Sequence, residues 1–284
     1  MSQAESSKAG ALNHAQSAAE RRRQQRKAAS ERAAALVRET GISCAQRGAL
    51  KVARTCVHLY RWGWASPSTL DLVAEVSRGG FAQRLKRAGL VKITEVIRGA
   101  PGTRFLPRYA VHLTSEGRER ALRAIGFEHV RDESDASASR VRIPALSQLE
   151  HAQRVQLIVL DYLKRGAHND FASPLELAHQ SKPGVKHVDA MLNGCDGSRT
   201  ALELELNSKS FERSEAFIYG LIAGFSTNRW DSCIVVCGTS GIRELYQSLI
   251  EPRTRVRRWI GDQEQASHVV TAADHARFEI LPLP

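Results

Sequence analysis

Ala201-Leu202-Glu203-Leu204-Glu205-Leu206-Asn207-Ser208-Lys209 alternates leucines with acidic and polar residues at the centre of the C-terminal half. Read as a β-strand, it sends Leu202, Leu204 and Leu206 to one face and Glu203, Glu205 and Asn207 to the other. Upstream, Val188-Asp189-Ala190 sets an acidic residue in an apolar, extended context. An Asp, two carboxylates on one strand face and a following Lys form the layout of a site for a hard divalent cation. Carboxylate oxygens suit Mg²⁺ or Mn²⁺, and such an ion can activate water and neutralise phosphate charge. Asp189, Glu203 and Glu205 are the expected ligands, and Lys209 is the expected assistant. The bland alternatives are a solvated strand edge for the two glutamates, a turn carboxylate for Asp189 and a surface lysine for Lys209.

The surrounding elements follow from periodicity and punctuation. Val185–Leu192 reads as a strand entered from the Lys182-Pro183-Gly184 turn, and Asn193–Ser198 as the turn of a hairpin into the Glu203 strand. On the first of these strands His187 alternates with Asp189, and Lys186 should face away. A helix over 148–165 precedes the hairpin, with Ser147 and Glu150 placed for a capping box. Its buried side should carry Leu149, Ala152, Val155, Gln156, Val159, Leu160 and Leu163. His151 on that helix could reach the acidic cluster. After the hairpin, Ser210 can cap a helix over 211–225 with Phe211, Ile218, Ile222 and Phe225 inward. Cys233–Cys237 is an apolar strand, 240–250 a helix and 256–260 a further strand. The order suits a mixed sheet flanked by helices, and the class is α+β.

The N-terminal half has a different character. Residues 1–14 are small and polar and are expected to be unstructured. From Ala15 to Glu39 the chain is rich in helix formers, with Arg21, Arg22, Arg23, Arg26 and Lys27 forming a basic arm. Helices are expected over 47–61, from Ser66-Pro67, and over 81–88, the last closed by Gly89. Leu50, Ala53, Val57 and Tyr60 should be buried on the first, and Leu70, Leu72, Val73 and Val76 on the second. Strands over 90–98 and 109–113 flank a Gly99–Gly102 turn, and a short helix starts at Thr114. Helix, helix–turn–helix and a hairpin make a winged-helix arrangement, in which the third helix enters the major groove. Gly41 to Ile125 holds fifteen Lys/Arg against five Asp/Glu, a balance of +10. Gln83, Arg84, Lys86 and Arg87 are the outward residues of the third helix. Lys92, Arg98 and Arg104 accompany them on the hairpin as candidate DNA contacts.

The domain plan is therefore a basic arm over 1–40, a winged-helix domain over 41–130, a polar linker over 131–143 and a nuclease-like domain over 144–284. The full chain of 284 residues carries a net charge of +11, which favours an acidic partner and above all double-stranded DNA. No apolar run reaches the ~20 residues of a membrane span, so insertion is not expected. Five cysteines at irregular spacing, without an apolar leader, fit a reduced protein of the cytoplasm. No phosphate loop of the Gly-x4-Gly-Lys-Ser/Thr type and no Gly-x-Ser-x-Gly elbow is present.

The combination His151-x3-Val155-Gln156, Val188-Asp189-Ala190 and Glu203-x-Glu205-x3-Lys209-Ser210 resembles the replication-relaxation family and the MobC-type relaxases of mobilizable plasmids. The resemblance covers about 41–250. It implies a winged helix followed by a domain similar to the PD-(D/E)xK nucleases, and a metal-dependent nick in one strand at a plasmid transfer origin. It also implies accessory mobilization or coupling proteins as partners; a homodimer is compatible. In this chain Val188 stands where that motif usually has Pro, and Glu203-Leu204-Glu205 moves the lysine to position 209. Two rival expectations remain. One is a non-enzymatic winged-helix regulator of replication or transcription whose second domain dimerises. The other is a restriction-type endonuclease that cuts both strands.

Overall fold

The computed structural model describes residues 3–97, 103–126, 143–178, 186–260 and 263–283. The chain divides into two compact units, Met1–Val52 and Ala53–Pro284. The first holds helix α1 (Gln3–Thr40) and the start of α2 (Cys44–Trp62). Residues 3–14, expected to be unstructured, belong to α1. Gly41 stops that helix: its φ is +66° and its N–H donates to Val37 O at 2.8 Å. Ser43 and Gln46 then open α2 as a reciprocal cap, with Ser43 N–H donating to Gln46 Oε1 at 2.8 Å and Gln46 N–H to Ser43 Oγ at 3.2 Å.

The division falls inside α2 rather than at the expected linker. That linker lies outside the described residues except for Ile143. The second unit continues with α3 (Pro67–Val73), α4 (Phe81–Arg87), strands β1 (Val91–Glu95) and β2 (Tyr109–Leu113), and α5 (Ser115–Ile125). The sequence signals hold locally. Ser66 Oγ accepts from Thr69 N–H, and Pro67 takes the first position of α3. Thr114 Oγ1 accepts from Gly117 N–H to start α5. Gly79 and Gly80, at φ +69° and +81°, turn the chain from α3 to α4, where Asp71 Oδ1 accepts the Phe81 N–H at 3.0 Å. β1 and β2 pair antiparallel, Lys92 opposite His112. β1 ends at Glu95, earlier than expected, and the Gly99–Gly102 turn lies outside the described residues. Leu59, Leu70, Phe81, Leu85, Val91 and Val111 are buried. Leu50 and Leu72, expected inside, are exposed. On α2 the helical period holds, with its buried face turned toward Cys56, Leu59 and Trp62.

The remaining elements are α6 (Leu146–Arg165), β3 (His168–Ala172), α7 (Pro174–Ala178), β4 (Ala190–Gly194), β5 (Arg199–Glu205), α8 (Phe211–Ser226), β6 (Ser232–Cys237), α9 (Ser240–Leu249), β7 (Arg255–Ile260), β8 (Gln263–Val269), α10 (Ala272–His275) and β9 (Phe278–Pro282). Among the described residues one sheet runs β3-β4-β5-β6-β9, antiparallel as far as β5 and parallel beyond it. β7 and β8 make a separate hairpin. Both faces of the large sheet are covered. Ala190, Leu192, Leu202 and Leu204 pack with Val155, Ile158 and Val159 of α6. Ala201, Val235 and Cys237 pack with Phe217, Ile218 and Leu221 of α8 and Tyr246 of α9. Double coverage explains why β6 is apolar from Cys233 to Cys237. It also turns the polar face of β5 into the interior.

Three expectations change here. α6 starts at Leu146, and Ala145 stands at the N-cap position without a side-chain cap, so no Ser147–Glu150 box forms; Glu150 pairs instead with Arg154. Phe211, expected in the core, is exposed at the mouth of α8. β4 begins at Ala190, not Val185.

Residues 58–69 share one seam with α6, β3 and α7. Gln153 donates to Ser66 Oγ at 3.1 Å and Thr69 Oγ1 at 2.8 Å. Gln156 Oε1 is 3.2 Å from His58 Nε2, and Gln156 Nε2 donates to Trp64 O at 3.1 Å. Arg61 binds Asp170 and Glu176, and Trp62 stacks on Phe171 with centroids 5.6 Å apart. Both glutamines are fully buried, so each hydrogen bond at the seam is also a requirement. Among the described residues no helix is long and apolar enough to cross a membrane.

Candidate functional site

Glu203 and Glu205 leave β5 on the α8 side, as the alternation requires, and α8 buries them. Glu203 is 3% exposed and Glu205 7%. A carboxylate in that position must find a cation or take up a proton. Glu203 Oε1 has Lys186 Nζ at 2.6 Å. The two form a close ion pair, and Lys186 works against the effect of burial on the carboxyl. Burial, with the Asp189 and Glu205 charges adding to it against Lys186, pushes the Glu203 carboxyl up to about 8. Glu205 is held by Lys209, which sits just before the Ser210 cap of α8.

The two lysines share one aromatic platform. Lys186 Nζ lies 4.7 Å and Lys209 Nζ 4.4 Å from the centroid of Phe217. Tyr246 stacks on that ring at 5.0 Å. Burial and the Glu205 charge raise the Tyr246 phenol well above its ordinary range. The stem of Lys186 runs along α8 at Gly220, where an added Cβ would meet Lys186 Cβ at 3.3 Å. Arg229 Nη1 fixes the backbone by donating to Lys186 O at 2.9 Å.

Asp189 is engaged on the α6 side. Its Oδ2 accepts the Leu204 N–H at 2.8 Å, and His151 Nε2 lies 3.2 Å from Oδ2 and 2.9 Å from Leu204 O. Burial opposes the imidazolium, but the Asp189 carboxylate outweighs it and holds the His151 pKa above its ordinary value. The expected approach of His151 to the cluster is thus present, through Asp189.

The structure brings Asp189, Glu203, Glu205, Lys209 and His151 to one end of the β4–β5 pair, but each carboxylate has its own partner. Among the described residues no three His, Cys, Asp or Glu side chains are gathered to hold a metal ion. The donors are three hard oxygen groups, the chemistry a divalent cation takes, each held by a partner within the chain. Lys186, expected to face away, is the partner of Glu203, while His187 is exposed. The strand begins only at Ala190, so alternation does not extend back through 186–189. A helix glycine facing a lysine stem, as at Gly220, is a signal that only the fold reveals.

The second candidate region is outward. Gln83, Arg84, Lys86 and Arg87 are exposed on α4, behind buried Phe81, Ala82 and Leu85. Lys92 is exposed on β1 and Arg104 in the following loop, while Arg98 lies outside the described residues. Arg108, not singled out from the sequence, is tied to Glu95 on β1 at 2.8 Å. Comparison with protein-family models, curated proteins and solved structures finds no match.

Proposed function

We propose that this protein binds duplex DNA through α4 and the β1–β2 hairpin and nicks one strand of it with Mg²⁺ or Mn²⁺. The site is a winged helix joined to a PD-(D/E)xK-like nuclease domain, and the activity is that of a relaxase at a plasmid or mobile-element transfer origin. The observation that carries this reading is the cluster of Asp189, Glu203 and Glu205 with His151 and two lysines at one end of β5. The sequence resemblance picks out all of these except Lys186.

In this reading Asp189, Glu203 and Glu205 hold the cation. When bound, such an ion polarises a phosphodiester and lowers the pKa of its water. His151 keeps Asp189 oriented through Oδ2. Lys209 supplies positive charge beside Glu205, where negative charge on a phosphate would develop. Gln83, Arg84, Lys86 and Arg87 read the groove, and Lys92 and Arg104 hold the flanking backbone. The test is a supercoiled plasmid carrying the DNA that surrounds this protein's own coding region. Mn²⁺-dependent open circles that vanish with Glu205→Ala support the reading; linear product points to a double-strand endonuclease.

A second reading has one observation in its favour. Every carboxylate of the cluster is neutralised from within the chain. A non-enzymatic DNA-binding regulator with an ion-paired, dimerising C-terminal region would show that. It would footprint DNA without cutting it.

A further inference from the structure

We propose that helix α1 is a second DNA-contacting element, whose exposed cations Arg23, Arg26 and Lys27 lie against the phosphate backbone of a duplex without reading its bases. The inference rests on the reading of the chain as a DNA-binding protein. It adds a surface in a different compact unit from α4 and the β1–β2 hairpin.

α1 runs for 38 residues. From Glu20 to Thr40 no described side chain is buried, and only Ala28, Ala33 and Val37 are half-buried. A helix in a folded protein owes most of its stability to an apolar face packed on a neighbour. α1 has no such face, and its charges work against it. Arg21 to Lys27 holds five cations and no acid. Arg23, Arg26 and Lys27 are exposed and stand at i, i+3 and i+4, so like charges sit one turn apart on one side of the helix. Among the described residues these three meet no carboxylate. A duplex that lays phosphates along this side removes the repulsion and gains the release of its own condensed counterions.

Charge and bulk decide the occupant. Residues 15–40 hold seven Lys/Arg against three Glu, the sign that suits a phosphate backbone. A second copy of α1 would bring the same cations face to face. A coiled-coil seam also needs bulky apolar residues at its a and d positions, where this stretch offers mainly alanine. A lipid surface needs a broad apolar face of residues such as Trp, Phe or Leu. Between 15 and 40 only Leu36 and Val37 exceed alanine in apolar bulk. Long cations with no packing partner suit backbone contact, which positions a protein on DNA. Base readout needs groups held in place.

The experiment is binding of the full chain to a labelled duplex of mixed sequence, read by fluorescence anisotropy over a range of KCl. Wild type is compared with the triple variant Arg23→Gln/Arg26→Gln/Lys27→Gln and with Arg84→Gln/Arg87→Gln. The triple variant is expected to bind at least tenfold more weakly at low salt, with a salt slope reduced by about 2 to 3. A wild-type slope in the triple variant, with binding weakened by Arg84→Gln/Arg87→Gln, overturns the role of α1 and leaves the α4 reading standing. A wild type that does not bind the duplex overturns both. Hydrogen exchange over residues 20–32 supplies a readout on wild type alone: it should slow at least threefold when duplex saturates. Unchanged exchange on DNA that demonstrably binds contradicts the proposal. Exchange that slows with protein concentration alone, and no further with duplex, identifies a second copy as the occupant. Exchange that slows on vesicles containing anionic lipid but not on duplex identifies a membrane surface. Either of these overturns the proposal.

Discussion

The outer face of α4 and the end of β5 use the same kinds of charged side chain under opposite conditions. On α4, Arg84, Lys86 and Arg87 stand in water, and among the described residues none meets an acidic partner. At β5, Glu203 and Glu205 are buried and each is met by a lysine. Charges in water cost the fold almost nothing and remain available to phosphates. Charges in the interior exist only as sets, and removing one member strands the other. Outer substitutions should therefore change binding and leave stability alone. Inner ones should change stability, and they should do so in coupled pairs.

The sharpest way to break this contrast is Lys186→Met. It strands the Glu203 carboxylate and should cost about 3 kcal/mol in urea unfolding at pH 9, above the value near 8 at which Glu203 ionises, and less near neutral pH where Glu203 takes up a proton. The double variant Lys186→Met/Glu203→Gln should recover most of that loss. Equal losses in single and double variants would mean that the pair is not coupled.

The seam offers a second way of handling interior charge, by keeping a group neutral. His58 is pushed down to about 4 by burial and by Arg61, against its hydrogen bond with Gln156. The unfolded chain, near the ordinary value of 6.5, binds that proton first. Stability from this residue is full above pH 6.5, falls as the pH drops and levels off below about 4. The loss across that window should be about 3 kcal/mol. Urea titrations of His58→Gln should lack this component of the acid slope; an unchanged slope would remove His58 from the account.

Smaller effects belong to the outer face. Arg87→Ala should leave the unfolding midpoint unmoved and lower the salt slope of DNA binding by about 1 if it meets a phosphate. A matching loss of fold stability would show that α4 is not simply solvated.

How much of this was legible beforehand differs by element. The β5 alternation was, because Leu202 and Leu204 against Glu203 and Glu205 is a local signal that one strand carries by itself. The Ser66-Pro67, Thr114 and Ser210 starts were readable for the same reason: a cap and its N–H lie within three residues. Lys186 was not, because its role depends on where β4 begins and on a glycine thirty-four positions away. Gln156 was expected on the buried side of its helix, whereas Gln153 looks like a helix-surface residue until Ser66 and Thr69 cover it. Leu50, Leu72 and Phe211 show that periodicity gives a helix its faces without saying which face another element will meet. β9 reaches the sheet only by pairing in parallel with β6, a long-range contact with no nearby signature.

The proposed division, outward charges binding DNA and inward ones cutting it, can be separated in one experiment. Glu203→Gln and wild type are compared at the same saturation of a supercoiled plasmid, with Mn²⁺ present. Binding should be unchanged and nicking reduced at least a hundredfold. Nicking that survives Glu203→Gln undiminished, or DNA binding that falls together with it, contradicts the division of labour.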